Sequence, residues 1–216
     1  VYNNLDSVTL TKGTNVSKGT KIGVIGASSN PGLHFEFHND QDSAIDPTNL
    51  FIQCSSGGVL VGNTNEEQIW NYLLGLGYSK AGASGVMGNW MQESGFLPNN
   101  LENGANSKSG LSDEEFTSEV DNGNISKSEF ITSSRFSIYS GGRYGYGLAQ
   151  WTDPGRKTNF YEFWKSQNTS SIADLKMQLD FYKQEAEGYS GLNDSLKNAT
   201  SPEAAASTFV RIYEVG

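Results

Sequence analysis

One cysteine, Cys54, serves a chain of 216 residues. An intrachain disulfide and a thiol cluster with zinc spacing are therefore excluded. The redox compartment stays open, because a protein without disulfides works on either side of a membrane. No apolar run approaches the roughly 18 residues that span a bilayer. The opening "VYNNLDSVTL" lacks the basic-then-apolar pattern of a secretory leader, so secretion, if it happens, is expected to use lysis, a removed leader or assembly into a particle. Positive charge is scarce. With 15 Lys and Arg against 24 Asp and Glu, the net charge is −9, which repels phosphate and disfavours nucleic acid or anionic membrane as partners. Prolines number only 5 against 25 glycines. The rest of the composition, 36% hydrophobic and 12% aromatic, is that of a soluble globular protein, and the length admits one large domain or two small ones.

The texture changes along the chain. Within residues 1–53, "SVTLTKG", "TKIGVIG" and "GLHFEFHN" alternate apolar and polar side chains, with Gly13, Gly19, Gly26 and Gly32 marking turns, which predicts a small β-rich unit. "CSSGGVLVGNT", 54–64, is small and flexible and reads as a linker. From residue 65 the period becomes helical. "NEEQIWNYLLGLG" puts Ile69, Trp70, Leu73 and Leu74 on one face, and Ser79 is placed to cap a helix running through Val86, Met87 and Trp90 to Glu93. "RKTNFYEFWKSQ", "SIADLKMQLDFYKQEAEG" and "SPEAAASTFVRIYE" are further helices, the last with Pro202 in its first turn. Between Leu101 and Tyr144 the polar stretch containing "SDEEFTSEVDNGN" is expected to be an inserted loop or β-subdomain more than a core helix, with room for one or two helical turns over "LSDEEFTSEV", its acids forming a solvated face. The reading is α+β in two domains: 1–53 β-rich, 65–216 mainly α.

The first part, "YNNLDSVTLTKGTNVSKGTKIGVIGASSNPGLHFEFHNDQDSAIDPTNLF", resembles the C-terminal portion of an M23 (LytM-type) zinc endopeptidase. The resemblance implies a histidine where this chain has Asn4, and another where it has Gly32. Only His34 stands at a metal-ligand position. The remaining ligands would come from an upstream His-x-x-x-Asp segment. One imidazole does not make a zinc site, for which three protein ligands are usual. His34 and His38 share a strand face, but the plainer reading is a family remnant and a surface residue. No metal or cofactor is expected, and the unit is read as a degenerate binding or scaffolding module.

In "GVMGNWMQESGFLP" a single carboxylate, Glu93, ends an apolar helix. Val86, Met87 and Trp90 lie within two turns of it, so the carboxyl is expected at the edge of an apolar wall, where desolvation favours its neutral form. Taken alone, it would be an exposed helix end. It is followed by "GGRYGYGLAQWTDPGR" and "FVRIYE", and the order Glu-Ser, Gly-Leu-x-Gln, helical aromatic is similar to the goose-type lysozymes and lytic transglycosylases. Closer still is the resemblance to phage tail lysozymes over residues 65–216, a family found on virion tails alone or joined to an M23 domain. It implies a peptidoglycan glycosidase with Glu93 as catalytic acid, and Tyr146, Gln150, Trp151 and Tyr213 lining the sugar cleft. For the aromatics, plain core packing is the competing reading. The implied partners are glycan strands and other tail proteins, and the place of action is a virion tail or the extracellular cell wall. For the group that quenches the glycosyl cation, Glu102 in "NNLENG" is the first candidate, with Asp113, Glu114 and Asp121 as rivals. The substrate's own acetamido or 6-hydroxyl group is the other route, so hydrolysis and transglycosylation both stay open. The resemblance also implies a further helical segment after "VRIYEVG". A non-catalytic cell-wall-binding or structural tail protein is the rival function.

Overall fold

Short alternating stretches give short antiparallel pairs in the first of two units, Val1–Phe51 and Ile52–Gly216. The computed structural model describes residues 2–3, 5–11, 13–17, 20–25, 34–35, 37–38, 43–45 and 60–214. In the first unit, strand β1 (Tyr2–Asn3) pairs with β4 (His34–Phe35), with Asn3 opposite His34. Strand β2 (Leu5–Val8) pairs with β3 (Gly23–Ile25), and β5 (Phe37–His38) with β6 (Ala44–Ile45). Gly13, in the connection from β2 to β3, has φ +90°, a left-handed conformation that favours glycine. Asn4, Gly32, Cys54 and the side chain of His34 lie outside the described residues.

The second unit is helical, and its helices begin where side chains satisfy free amides. Thr64 caps α1 (Asn65–Gly75) by accepting from the Glu67 amide. Ser79 caps α2 (Lys80–Ser94), which stops at Gly95 in the left-handed conformation, φ 59°. The segment between Leu101 and Tyr144 departs from expectation. It is neither a loop nor a β-subdomain but three helices, α3 (Asn103–Ser109), α4 (Asp113–Asp121) and α5 (Lys127–Ile131). Two reciprocal capping boxes, Ser112 with Glu115 and Ser126 with Glu129, nucleate α4 and α5. The segment is core, since Phe116, Val120 and Phe130 are fully buried. Its acids Glu114 and Glu115 do face solvent. Helices α6 (Pro154–Ser166), α7 (Leu175–Gly188), α8 (Leu192–Lys197) and α9 (Pro202–Phe209) follow, and α9 runs on into a π-helical turn, Val210–Glu214. Asp153, Asp174 and Ser201 cap α6, α7 and α9.

Helices α2 and α9 approach each other closely because glycine faces alanine. A Cβ added at Gly85 would lie 2.6 Å from the Ala205 Cβ, and no larger residue fits without parting the helices. Trp90 of α2 sits against this seam, edge-on to Tyr182 at 4.9 Å and to Phe209 at 6.1 Å.

The other half of the core buries a charge-bearing side chain, Lys157, completely. Its Nζ donates to the Tyr144 carbonyl at 3.1 Å and lies 3.3 Å from the centre of that ring. Burial pushes the amine well below its ordinary 10.5, with the Glu102 charge opposing in part. The unfolded chain therefore binds more protons than the folded one between the folded value and 10.5, and the lysine's contribution makes stability rise with pH through that window. Replacing Lys157 with Met removes this slope. Urea denaturation at several pH values is expected to show the variant gaining on the native protein as pH falls from 10 towards 6; a pH-independent difference would contradict it.

Candidate active site

Glu93, Ser94 and Gly95 close α2, and each is put to a different use. Gly95 reverses the chain. Ser94 turns inward, only 4% exposed, and its hydroxyl reaches the carbonyls of Trp90 (3.1 Å) and Leu148 (2.8 Å). The second contact ties the Glu-Ser pair to the Gly-Leu-x-Gln block some fifty residues later. Glu93 turns outward. No hydrogen bond or ion pair reaches its carboxylate from the described residues, while burial by its surroundings raises the carboxyl above its ordinary range.

The Gly-Leu-x-Gln block is a tightly bonded turn. Gly147 has φ 81°, and Gln150 has φ 46°, a strained value for a residue with a side chain. The Gln150 amide lies within reach of the Asn100 carbonyl (3.0 Å), the Asn100 Oδ1 (2.9 Å) and the Gly147 carbonyl (3.1 Å). Gln178, buried on α7, accepts from the Leu148 amide at 2.8 Å and donates to the carbonyls of Pro98 (2.6 Å) and Ile172 (2.9 Å). The loop leaving α2 and the block are thereby one unit.

The four candidate second carboxylates are all engaged in local bonding. Glu102 brackets Gly145: its backbone amide donates to the Gly145 carbonyl at 3.1 Å, and its Oε2 accepts from the Gly145 amide at 2.9 Å. Asp113 accepts from the Leu101 amide and the Asn106 side chain, Glu114 from Asn99, and Asp121 from the Ile172 amide.

Tyr146, Trp151 and Tyr213 are fully buried. The Tyr146 hydroxyl shares a hydrogen bond with Thr117, and the Trp151 ring stacks on Phe160 at 4.6 Å. Tyr213 lies between Phe209, stacked at 4.8 Å, and the Arg156 guanidinium at 4.4 Å. None of the three presents a ring face to solvent. Gln150 is half-buried beside them in sequence.

Three residues outside the sequence-derived set stand around this region. Glu185 of α7, its side chain 10% exposed, accepts from Arg156 Nε at 3.0 Å and Nη2 at 3.0 Å. It also accepts from Trp151 Nε1 at 2.8 Å and the Tyr213 hydroxyl at 2.6 Å. Arg156 continues to the Tyr213 carbonyl at 3.3 Å. Glu214, next in the chain, is held up at about 7, first by burial and then by the charge of Glu93; Arg156 opposes this and Glu185 adds to it. Glu214 stood in the motif "FVRIYE", one place past the aromatic that drew attention. A carboxylate closing an apolar helical run was the available signal.

Among the described residues no group of three or more His, Cys, Asp and Glu is arranged to hold a metal ion, and no helix is long and apolar enough to cross a membrane. No curated protein matches the chain. The phage tail lysozyme family matches residues 64–216. That range contains the Glu93–Ser94 helix end, the block bonded to it, and the helix and π-turn ending at Glu214, so the chain belongs to the phage tail lysozyme family.

Proposed function

We propose that the chain is a muramidase that cuts the β-1,4 bond between N-acetylmuramic acid and N-acetylglucosamine, with Glu93 as general acid. Family membership supports a lysozyme-type glycosidase acting on peptidoglycan. The observation that carries the finer reading is the state of Glu93: an outward, solvent-reached carboxyl, free of hydrogen bonds from the described residues yet raised by partial desolvation, on a helix end fixed to the Gly147–Gln150 block through Ser94. A general acid at neutral pH needs a raised carboxyl within reach of the leaving oxygen. Glu93 donates its proton to the glycosidic oxygen while the C1–O bond breaks and the ring gains oxocarbenium character. Water then quenches the cation in hydrolysis, or the substrate's own acetamido or 6-hydroxyl group assists; both routes start with the same proton transfer.

Gln150 and Glu102 enter this reading as supports of the cleft wall, since their polar groups hold Asn100 and Gly145 in place. Tyr146, Trp151 and Tyr213 support the wall from behind. That burial also weighs against the rival of a glycan-gripping module without catalysis, because stacking on a sugar requires an open ring face. Residues 1–53 are proposed as an M23-like unit without peptidase activity, on the strength of Asn4 and Gly32 at its histidine positions. The setting proposed is local wall degradation by a phage tail or a similar machine.

Zymography tests the proposal. A band of clearing in a gel containing purified peptidoglycan is expected for the refolded protein; no clearing from protein shown to be folded would overturn it.

A further inference from the structure

Tyr146, Trp151 and Tyr213 are turned into the core, so a ring that stacks on a sugar has to come from elsewhere. Across residues 60–214 one aromatic residue is exposed, Tyr139, at 62%. Ile138, beside it, is 57% exposed. Single apolar side chains scattered over a surface need no explanation, whereas two large ones in succession on one loop do.

The loop that carries this pair is braced from beneath. Phe136, fully buried, packs edge-on against Phe116 at 5.0 Å, and Ser137 is buried beside it. The Ser137 hydroxyl donates to the Tyr139 carbonyl at 3.1 Å and accepts from the Tyr139 amide at 3.0 Å, while Lys108 Nζ donates to the Ser137 carbonyl at 2.6 Å. The base is closed by the Ser133 amide, which donates to the carbonyl of Gly142, φ 70°, at 2.8 Å. Compact surface loops with closed ends and packing of their own are frequently functional. The same loop touches the wall of the site. A Cβ added at Gly104 of α3 would lie 2.7 Å from Ile138 Cδ1, so the Ile138 side chain covers that glycine. Helix α3 starts directly after Glu102, whose Oε2 accepts from the Gly145 amide, and a Cβ added at Gly145 would lie 2.5 Å from Gln150 Oε1. Packed groups thus connect the Tyr139 loop to Glu102 and Gln150.

Charge favours the same face. Between Phe130 and Thr152 the chain has no Asp or Glu but carries Arg135 and Arg143, both exposed, and Lys108 is bonded to the loop. On a chain of net charge −9 this stretch is locally positive, which suits a polymer whose stem peptides bear carboxylates. We propose that Tyr139, with Ile138 beside it, is a stacking platform that holds a peptidoglycan strand while it is cut. The ring takes the apolar face of an N-acetylhexosamine, and Lys108 and Arg143 attract the stem-peptide carboxylates. The inference rests on the reading of peptidoglycan as substrate. A contact made equally before and during bond cleavage lowers KM and leaves kcat alone. One ring on one loop adds grip to the cutting site and does not replace it.

The test is cosedimentation with purified insoluble peptidoglycan on ice, using folded Glu93→Gln with Tyr139 intact, with Tyr139→Ala and with Tyr139→Phe. Loss of the ring is expected to weaken binding about three- to tenfold, the range of one aromatic stacking contact. Tyr139→Phe keeps the ring face and is expected to bind as the parent does. In the otherwise native protein, on soluble glycan fragments, Tyr139→Ala is expected to raise KM by the same factor at unchanged kcat. Equal binding by all three proteins overturns the proposal, and so does a fall in kcat at unchanged KM, the result of a distorted site. A face that instead joins copies of the chain would show in sedimentation velocity as association lost in Tyr139→Ala with wall binding intact, which also overturns it. Failure of the Glu93 reading is recognised separately, by undiminished cleavage in Glu93→Gln, while the binding measured on ice still reports the platform.

Discussion

Replacing Glu93 with Gln is expected to lower kcat on peptidoglycan by about 10²–10⁴-fold, the span that a positioned general acid contributes, and to leave the fold unchanged. The amide keeps the size and polarity of the carboxyl but has no proton to give at the pH of the reaction. Glu93 is exposed and accepts no hydrogen bond from the described residues, so its replacement falls among surface changes, which stay within about 0.5 kcal/mol of native stability. Loss of rate at constant thermal stability is the expected pair of readings, taken from turbidity clearing and calorimetry. A proton demanded only as the bond breaks would place the loss on kcat and spare KM, which is the expected split. A variant that binds less tightly yet turns over normally would assign Glu93 to ground-state binding instead.

Glu185→Ala is expected to be the most damaging change to the fold around the site. Glu185 is the common acceptor for Arg156, Trp151 Nε1 and the Tyr213 hydroxyl. Truncation leaves a mostly buried guanidinium, an indole N–H and a phenol without their acceptor. Removing one partner of a buried ion pair costs about 3–5 kcal/mol, and the two orphaned neutral donors add to it non-additively. Urea denaturation is expected to show a loss in that range. The account also predicts what repairs it. Arg156→Met combined with Glu185→Leu removes both charges together, and apolar replacement of a whole buried pair is often close to neutral. The double variant should therefore recover most of the loss, although its π-turn has lost the bond to the Tyr213 carbonyl. If the single change costs under about 1 kcal/mol, the network is a surface feature and does not brace the turn.

The sequence disclosed most where chemistry is local. Ser79 as a cap, Pro202 in a first turn and the apolar face of Ile69 and Leu73 are short-range features, and the helices form where they predict. The helices between Leu101 and Tyr144 were hidden by their polarity. Phe116, Val120 and Phe130 are sparse anchors in a stretch of Ser, Asn and Glu, and only the paired Ser-x-x-Glu boxes at Ser112 and Ser126 announced them. At the site, Glu93 stood out because it interrupts an apolar helix. Glu185 lay in "QEAEG", a composition that suggests a solvated helix, and its burial depends on Arg156, Trp151 and Tyr213 arriving from distant parts of the chain. Glu214 was obscured by its geometry. It ends a π-helical turn, Val210–Glu214, that the helical pattern of the sequence does not reveal, and its Oε1 is buried there without a hydrogen-bond partner.

The direct test of the central claim is the chemistry of the cut ends. Purified peptidoglycan is digested with native protein and with folded Glu93→Gln, and the soluble fragments are analysed by mass spectrometry. Native protein is expected to release muropeptides ending in N-acetylmuramic acid, either as reducing or as anhydro ends, and the variant none above background. Equal release by both proteins, or fragments cut in the peptide with the glycan intact, would contradict the account.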